Sequence, residues 1–174
     1  CYRGDGDATL GDTILNAQGN IRPEVQKARE QGILFDVGHG GGSFLFETAK
    51  TALSQNFLPD VISTDIHTGS ISDPVYSLPE TASKLLNLGI SLPDIVKQTT
   101  TAPAKSIGRE NELGTLKIGT VADLAAFEIQ EGEFQFHDVR DNLQIGQKNI
   151  HPFLTVRAGK VYRPADVQEE MDEN

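Results

Sequence analysis

The sequence contains few sulfur residues, with one cysteine and one methionine, and it has no tryptophan. Because the single cysteine, Cys1, excludes a disulfide bond within the chain, a reducing compartment fits the composition and we expect a cytoplasmic protein. The single methionine, Met171, does not stand at the first position. We therefore expect the sequence to be processed, truncated or a fragment of a longer protein.

Basic residues are also few, with 15 Lys and Arg against 25 Asp and Glu and a formal net charge of −10. Nucleic acids and anionic membranes bind clustered Lys and Arg, so the charge disfavours both as partners. No apolar run approaches the ~18 residues that a membrane span needs. The sequence leaves a homo-oligomer possible. The acidic residues 166–174 are expected to form a solvated terminus.

Two short apolar runs frame a helix-like segment in the first half of the chain. Residues 33–35 lead into DVGHGGGS, and residues 61–64 lead into DIH. Between them, apolar residues over 46–57 follow helical spacing. This pattern predicts a parallel β–α–β unit. Both polar clusters then lie at the C-terminal edge of the strands, where barrels and open α/β sheets place their catalytic groups.

The rest of the chain divides into a helical part and a β part. Turn residues and helix caps predict further helices over residues 23–30, 79–89, 91–100 and 103–108. Alternating or apolar runs predict strands over residues 116–118, 123–129, 133–138 and 153–157, with a last turn at 158–160 before 161–162. The change places a domain boundary near residue 108. It separates a first domain (residues 1–108) from a small β domain (residues 109–174).

Asp65 is the first candidate for chemistry. A carboxylate at the end of a buried strand is costly unless it is paired or binds a metal. Asp65 therefore either accepts backbone hydrogen bonds as a capping residue, or serves as a metal ligand and general base toward a water molecule. His67 would point to the same side as Asp65 if the strand continued, and is otherwise a surface loop residue.

His39 stands in the glycine-rich stretch Gly38–Ser43, which allows the backbone to approach a ligand closely. The stretch could form a phosphate cradle, an esterase oxyanion loop or a substrate-facing loop beside a metal, or His39 could be a solvated loop residue. The first lacks the lysine and spacing of a P-loop. The second needs a G-x-S-x-G nucleophile elbow, which the chain does not contain.

Five motifs occur together in the order CYRG (1–4), FDVGHG (35–40), ISTDIH (62–67), TAPA (101–104) and GTLKIGTVADL (114–124). In this combination the sequence resembles the C-terminal part of metal-dependent amidohydrolases of the dihydroorotase-like and amidohydrolase/deacetylase branch. The resemblance implies an α/β fold: the last part of a (β/α)8 barrel, followed by part of a small β-sandwich. It makes residues 33–39 the seventh strand and residues 61–65 the eighth.

The resemblance also implies hydrolysis of an amide, cyclic amide or ester bond of a small-molecule substrate with a divalent metal, expected to be zinc. Asp65 would contact the metal and act as general base, and His39, Gly40 and His67 would lie at the substrate. The family's other ligands, on strands one, four, five and six, have no counterpart in this sequence, and the last would fall just before Cys1. We therefore expect the chain to be inactive alone. The alternative is a non-catalytic α/β module that binds a small anion at Gly38–Ser43.

Overall fold

The computed structural model describes residues 14–163, so the CYRG motif and the acidic tail lie outside the described residues. Helices and strands follow one another along the described range as α1 (Pro23–Glu30), β1 (Asp36–Val37), α2 (Phe46–Ser54), β2 (Val61–Ile62), α3 (Leu78–Asn87), α4 (Leu92–Thr99), α5 (Thr101–Ser106), β3 (Leu124–His137), β4 (Leu143–Arg157) and β5 (Lys160–Tyr162).

Prolines and serines determine where three of the helices begin. Helices α1, α3 and α4 each carry a proline in the first turn, where the missing N–H has no intrahelical partner to lose. The side chains of Ser77 and Ser91 accept hydrogen bonds from the backbone N–H groups of Glu80 and Asp94, which caps α3 and α4. The predicted helices are confirmed, with ends that shift by up to three residues.

Strands β1 and β2 form a parallel pair in which Asp36 lies opposite Val61 and Val37 opposite Ile62. This confirms the predicted β–α–β unit, with α2 as its helix. Each strand has only two residues, which is shorter than predicted. Ile33 and Leu34, before β1, are more than half exposed, at 56% and 54%, because no described strand pairs with this segment on its outer side.

Strands β3, β4 and β5 form an antiparallel sheet in that order. The predicted last turn, between β4 and β5, is confirmed. Strand β4 is longer than predicted: it begins at Leu143, and Pro152 lies where the register with β3 shifts, a position that tolerates its missing N–H. The strand predicted over residues 116–118 is wrong, because this segment lies outside the sheet and its apolar side chains are exposed.

One hydrophobic cluster joins the helices to the hairpin of β3 and β4. It contains Val37, Phe44 and Leu85 from the first part of the chain and Phe136 from β3, all with at most 2% exposure. Strand β4 approaches α3 at Gly146, where a Cβ atom would lie 2.6 Å from Cγ of Asn87 on α3 and 2.6 Å from the ring of Phe136 on β3. The core thus crosses the boundary predicted near residue 108, and that boundary stays a prediction.

In the described part of the chain the β unit is a single three-stranded sheet, so the β-sandwich stays a prediction. No helix among residues 14–163 is long and apolar enough to cross a membrane.

Candidate active site

The loops that follow the two parallel strands meet at one edge of the pair. The β1–α2 loop comprises residues 38–45, and the β2–α3 loop comprises residues 63–77. The backbone N–H of Gly40 donates a hydrogen bond to the carbonyl oxygen of Thr64 at 2.8 Å. A Cβ atom on Gly40, whose φ is +48°, would lie 2.7 Å from Oδ2 of Asp65. Glycine at position 40 therefore leaves room for the Asp65 carboxylate.

Alternation along the strands gives the β1/β2 pair two different faces. The core face consists of Val37, His39 and Ile62, each at most 3% exposed. The open face consists of Asp36, Ser63 and Asp65. Its members surround Gly38, where a Cβ atom would lie 3.1 to 3.6 Å from all three side chains.

Sequence reasoning missed two members of the open face. The hydroxyl of Ser63 donates a hydrogen bond to Oδ2 of Asp36 at 2.5 Å. The signal was present in the sequence, because side chains two residues apart on a strand share a face. Asp36 therefore shares a face with Gly38, and Ser63 shares one with Asp65.

Asp65 carries an exposed carboxylate in the β2–α3 loop, three residues after the end of β2. Its backbone has a φ of +50°, which an Asp tolerates better than most residues. The structure shows no hydrogen bond to this carboxylate from residues 14–163. A carboxylate of this kind fits as one ligand of a divalent metal. Within residues 14–163, no group of three or more His, Cys, Asp or Glu residues, at Asp65 or elsewhere, could hold a metal ion.

His67 lies near Asp65 in the β2–α3 loop and is exposed. The backbone N–H of Gly69 donates a hydrogen bond to its Nδ1 at 3.1 Å, so a neutral ring carries its hydrogen on Nε2. A Cβ atom on Gly41 would lie 3.7 Å from that Nε2. The ring of His67 therefore borders the glycine-rich loop, and its predicted contact with substrate stays a prediction.

His39 belongs to the core face, and its ring has no exposed surface. Nδ1 lies 2.9 Å from the carbonyl oxygen of Gly40, and Nε2 lies 3.1 Å from Nζ of Lys84. The ring also stacks on Phe44, with centroids 4.8 Å apart. Burial, and then the positive charge of Lys84, lower the pKa of the imidazole to about 4.

The predicted contact between His39 and substrate therefore stays a prediction that this geometry does not favour. Alternation along the strand turns the ring away from the open face, and both ring nitrogens already have protein partners.

Lys84 is a further residue of this region that the sequence analysis did not identify. It lies on α3 with 1% exposure, and its ammonium donates hydrogen bonds to His39 and to the carbonyl oxygen of Pro74 at 2.7 Å. Glu80, one turn earlier on the helix, lies 3.7 Å away. Burial lowers the pKa of Lys84 to about 8, although the charge of Glu80 opposes the shift. A lysine on an amphipathic helix usually reaches solvent, so the sequence held no signal for this burial.

A carboxylate already occupies the start of α2, where a phosphate cradle would need free N–H groups. The helix begins at Phe46, whose backbone N–H donates a hydrogen bond to Oδ2 of Asp138 at 3.1 Å. Burial raises the pKa of Asp138, but hydrogen bonds from Asn142, Arg140 and Phe46 outweigh it and hold the pKa below its usual value. The negative charge of Asp138 opposes an anion at this helix end, so the alternative of an anion-binding module gains no support here.

Comparison with known proteins agrees with this arrangement. Residues 46–161, more than half of the chain, match the sequence model of the Amidohydrolase family. The chain therefore belongs to the amidohydrolase family, which confirms the resemblance drawn from the motifs.

Its relatives are longer proteins. A deacetylase of Enterococcus faecalis is 34% identical over 163 residues, which cover 93% of this chain and 43% of that protein. A deacetylase of Agrobacterium fabrum is 35% identical over 156 residues, covering 90% of this chain and 37% of that protein. The chain thus spans about two fifths of the length of the relatives that it matches.

Two solved structures show the same relation. The crystal structure of an adenine deaminase superposes with a TM-score of 0.86 at 34% identity, covering 94% of this chain and 43% of that one. The crystal structure of a dihydroorotase gives a TM-score of 0.79 at 28% identity, covering 94% and 42%. The architecture of this chain therefore occurs as one part of larger amidohydrolase structures.

Proposed function

We propose that the protein is a metal-dependent hydrolase that cleaves an amide, cyclic amide or ester bond of a small molecule. The observation that carries this proposal is the exposed Asp65 carboxylate, held beside Gly40 at the end of a parallel strand. The family match supports a hydrolytic enzyme, and the names of the relatives favour deacetylation or opening of a cyclic amide.

In this proposal the chain supplies the last part of a (β/α)8 barrel, with β1 and β2 as its seventh and eighth strands. The core face carries the apolar Val37 and Ile62, and the open face carries the polar Asp36, Ser63 and Asp65, as expected when the open face lines the inside of a barrel near its catalytic end. The exposed run before β1 would pair with the preceding strand, and strands from the rest of the protein would complete a β-sandwich with β3–β5.

A divalent metal, which we propose to be zinc, would polarise the scissile carbonyl and make water acidic enough to attack it. Asp65 is the described residue that would hold the metal. One oxygen of its carboxylate accepts the proton of the attacking water and returns it to the leaving nitrogen or oxygen. Gly40 keeps the space beside that oxygen clear, and His67 lies where it can contact substrate.

A tight zinc site needs three or four protein ligands, and Asp65 supplies one. We therefore propose that the remaining ligands belong to the rest of the intact protein and that the 174-residue chain has no activity on its own. Hydrolysis by the purified chain, retained after rigorous removal of contaminating enzymes, would contradict this part of the proposal.

The test of the proposed function is Asp65→Asn in the intact, zinc-loaded protein, assayed on acetylated amines, cyclic amides and carboxylic esters. We expect kcat to fall by about 10³-fold or more, with the fold retained, because Asn has nearly the same size and shape as Asp. Asp141→Asn is the matched control, since Asp141 is 88% exposed in a hairpin turn. Equal activity of both variants would refute the assignment.

A further inference from the structure

Lys84 occupies a position that core packing alone does not explain. An ammonium group with 1% exposure loses its hydration, and this cost exceeds what an apolar side chain of similar size would bear. The structure compensates the cost with hydrogen bonds to two separate loops: the carbonyl of Pro74 in the β2–α3 loop and the ring of His39 in the β1–α2 loop.

The hydrogen bond from Lys84 fixes the tautomer of His39. Because a charged ammonium can only donate, Nε2 of His39 must accept, and the ring hydrogen lies on Nδ1. That N–H then donates to the carbonyl oxygen of Gly40, 2.9 Å away. The low pKa of His39, which follows from its burial and the charge of Lys84, agrees with this neutral form.

Gly40 connects His39 to the open face of the β1/β2 pair. Its carbonyl is held by His39, while its N–H is bonded to Thr64, the residue before Asp65. The space left by its missing Cβ is the space beside Oδ2 of Asp65. Contacts therefore run without a gap from Lys84 through His39 and Gly40 to the strand end that carries the carboxylate.

We propose that Lys84 is a positioning residue of the active site, which holds both loops in register through His39 and Pro74 and so fixes the Asp65 carboxylate. This inference rests on the proposed function. Lys84 touches no reacting atom. Loss of its ammonium leaves His39 free to turn and releases the β1–α2 loop from the β2–α3 loop. The Asp65 carboxylate then moves from its position beside Gly40.

The experiment compares Lys84→Met with Ser83→Ala in the intact zinc-loaded enzyme. Ser83 is buried on the same helix but bonds the backbone of Ile150 in β4, so its loss tests stability without reaching the loops. We expect Lys84→Met to lower kcat by about 10- to 100-fold with little change in KM or zinc content. Ser83→Ala should lower the melting temperature and keep kcat.

A second pair of variants tests whether Lys84 acts through His39. His39→Asn keeps a donor for the Gly40 carbonyl, whereas His39→Leu removes it, so the Asn variant should retain at least about fivefold more kcat than the Leu variant. These variants also decide the matter if Lys84→Met gives no folded protein. ¹⁵N NMR of the wild-type enzyme should show His39 protonated on Nδ1.

Normal kcat in Lys84→Met, or equal kcat in the two His39 variants, would overturn the inference. Asp65→Asn, measured alongside, separates the two proposals. An inactive Asp65→Asn with a fully active Lys84→Met refutes only the positioning role, whereas an active Asp65→Asn refutes the proposed function.

Discussion

The two faces of the β1/β2 pair differ in what they contribute to the molecule. On the core face, Val37 and Ile62 pack against the helices with almost no exposed surface. On the open face, Asp36, Ser63 and Asp65 present polar groups around Gly38. Since neighbouring residues of a strand point to opposite sides, the two short strands and the residues that follow them separate the side chains of the core from the polar side chains of the open face. The predictions below test that separation.

The largest effect on the free energy of unfolding should come from a substitution beneath the core face. Phe44 is fully buried, stacks on the His39 ring and meets the Phe46 ring edge to face, so Phe44→Ala should lower the free energy of unfolding by about 3–5 kcal/mol. Urea denaturation of the intact protein measures this. Val96→Ala, on α4 at a position 39% exposed, is the control and should cost far less. Equal losses would mean that the core face is not the main stabilising surface.

The core face should also make stability depend on pH. An unfolded chain protonates His39 below its ordinary pKa of 6.5, whereas the folded protein resists protonation until about pH 4. The unfolded state therefore binds more protons in this window, and stability falls as the pH drops from 6.5 to 4, by an amount on the order of 3 kcal/mol.

The measurement is the unfolding free energy at several pH values for the wild type and for His39→Asn. The difference between the two proteins isolates His39 from Asp138, Glu80 and the other groups that titrate nearby. A difference that stays constant from pH 6.5 to 4 would show that the ring is not held neutral in the core.

On the open face, Gly40→Ala should damage activity more than stability. Its new Cβ would lie 2.7 Å from Oδ2 of Asp65, and a carboxylate can turn away at little cost to the fold. We expect a loss of about 100-fold in kcat with about 1–2 kcal/mol of backbone strain from the positive φ. Gly42→Ala is the matched control, because no atom lies within 4 Å of its added Cβ. Similar kcat values for the two variants would show that a Cβ atom at position 40 does not displace the Asp65 carboxylate.

The smallest effect on the fold should come from His67→Ala, since this ring is exposed. Stability should change by less than about 0.5 kcal/mol. If the ring binds substrate as predicted, KM should rise by about tenfold, equivalent to about 1.4 kcal/mol, with kcat nearly unchanged. Steady-state kinetics beside His151→Ala, an exposed histidine on β4, provide the check. An unaltered KM would remove His67 from the site.

Much of this arrangement was predictable from local patterns. Capping residues such as Ser91 and prolines in first turns located the helices, and two apolar runs separated by a helix located the parallel strands. Motifs then identified the family. The first part of β4 was missed because Gly146 and Pro152 resemble turn residues, although one permits close packing on α3 and the other lies at a register shift.

The role of individual side chains was less predictable, because it depends on residues distant in sequence. No sequence pattern near Lys84 indicates that its ammonium contacts the ring of His39, 45 residues earlier. The direction in which His39 points is set by strand alternation, but the glycines around it suggested a loop that faces a ligand or solvent. Asp65 was selected as a candidate from its motif and its position after a predicted strand, and its role stays a prediction.

The hydrogen bond between Phe46 and Asp138 also has a consequence for synthesis. The two residues are 92 positions apart, and ribosomes add about 5–20 residues per second. Helix α2 therefore waits about 5 to 20 seconds after Phe46 is made before the carboxylate at its first turn exists. In a nascent chain interrupted ahead of residue 138, the Phe46 N–H lacks the Asp138 carboxylate. The capping hydrogen bond of α2 can therefore form only after the ribosome has made the turn of the β3–β4 hairpin.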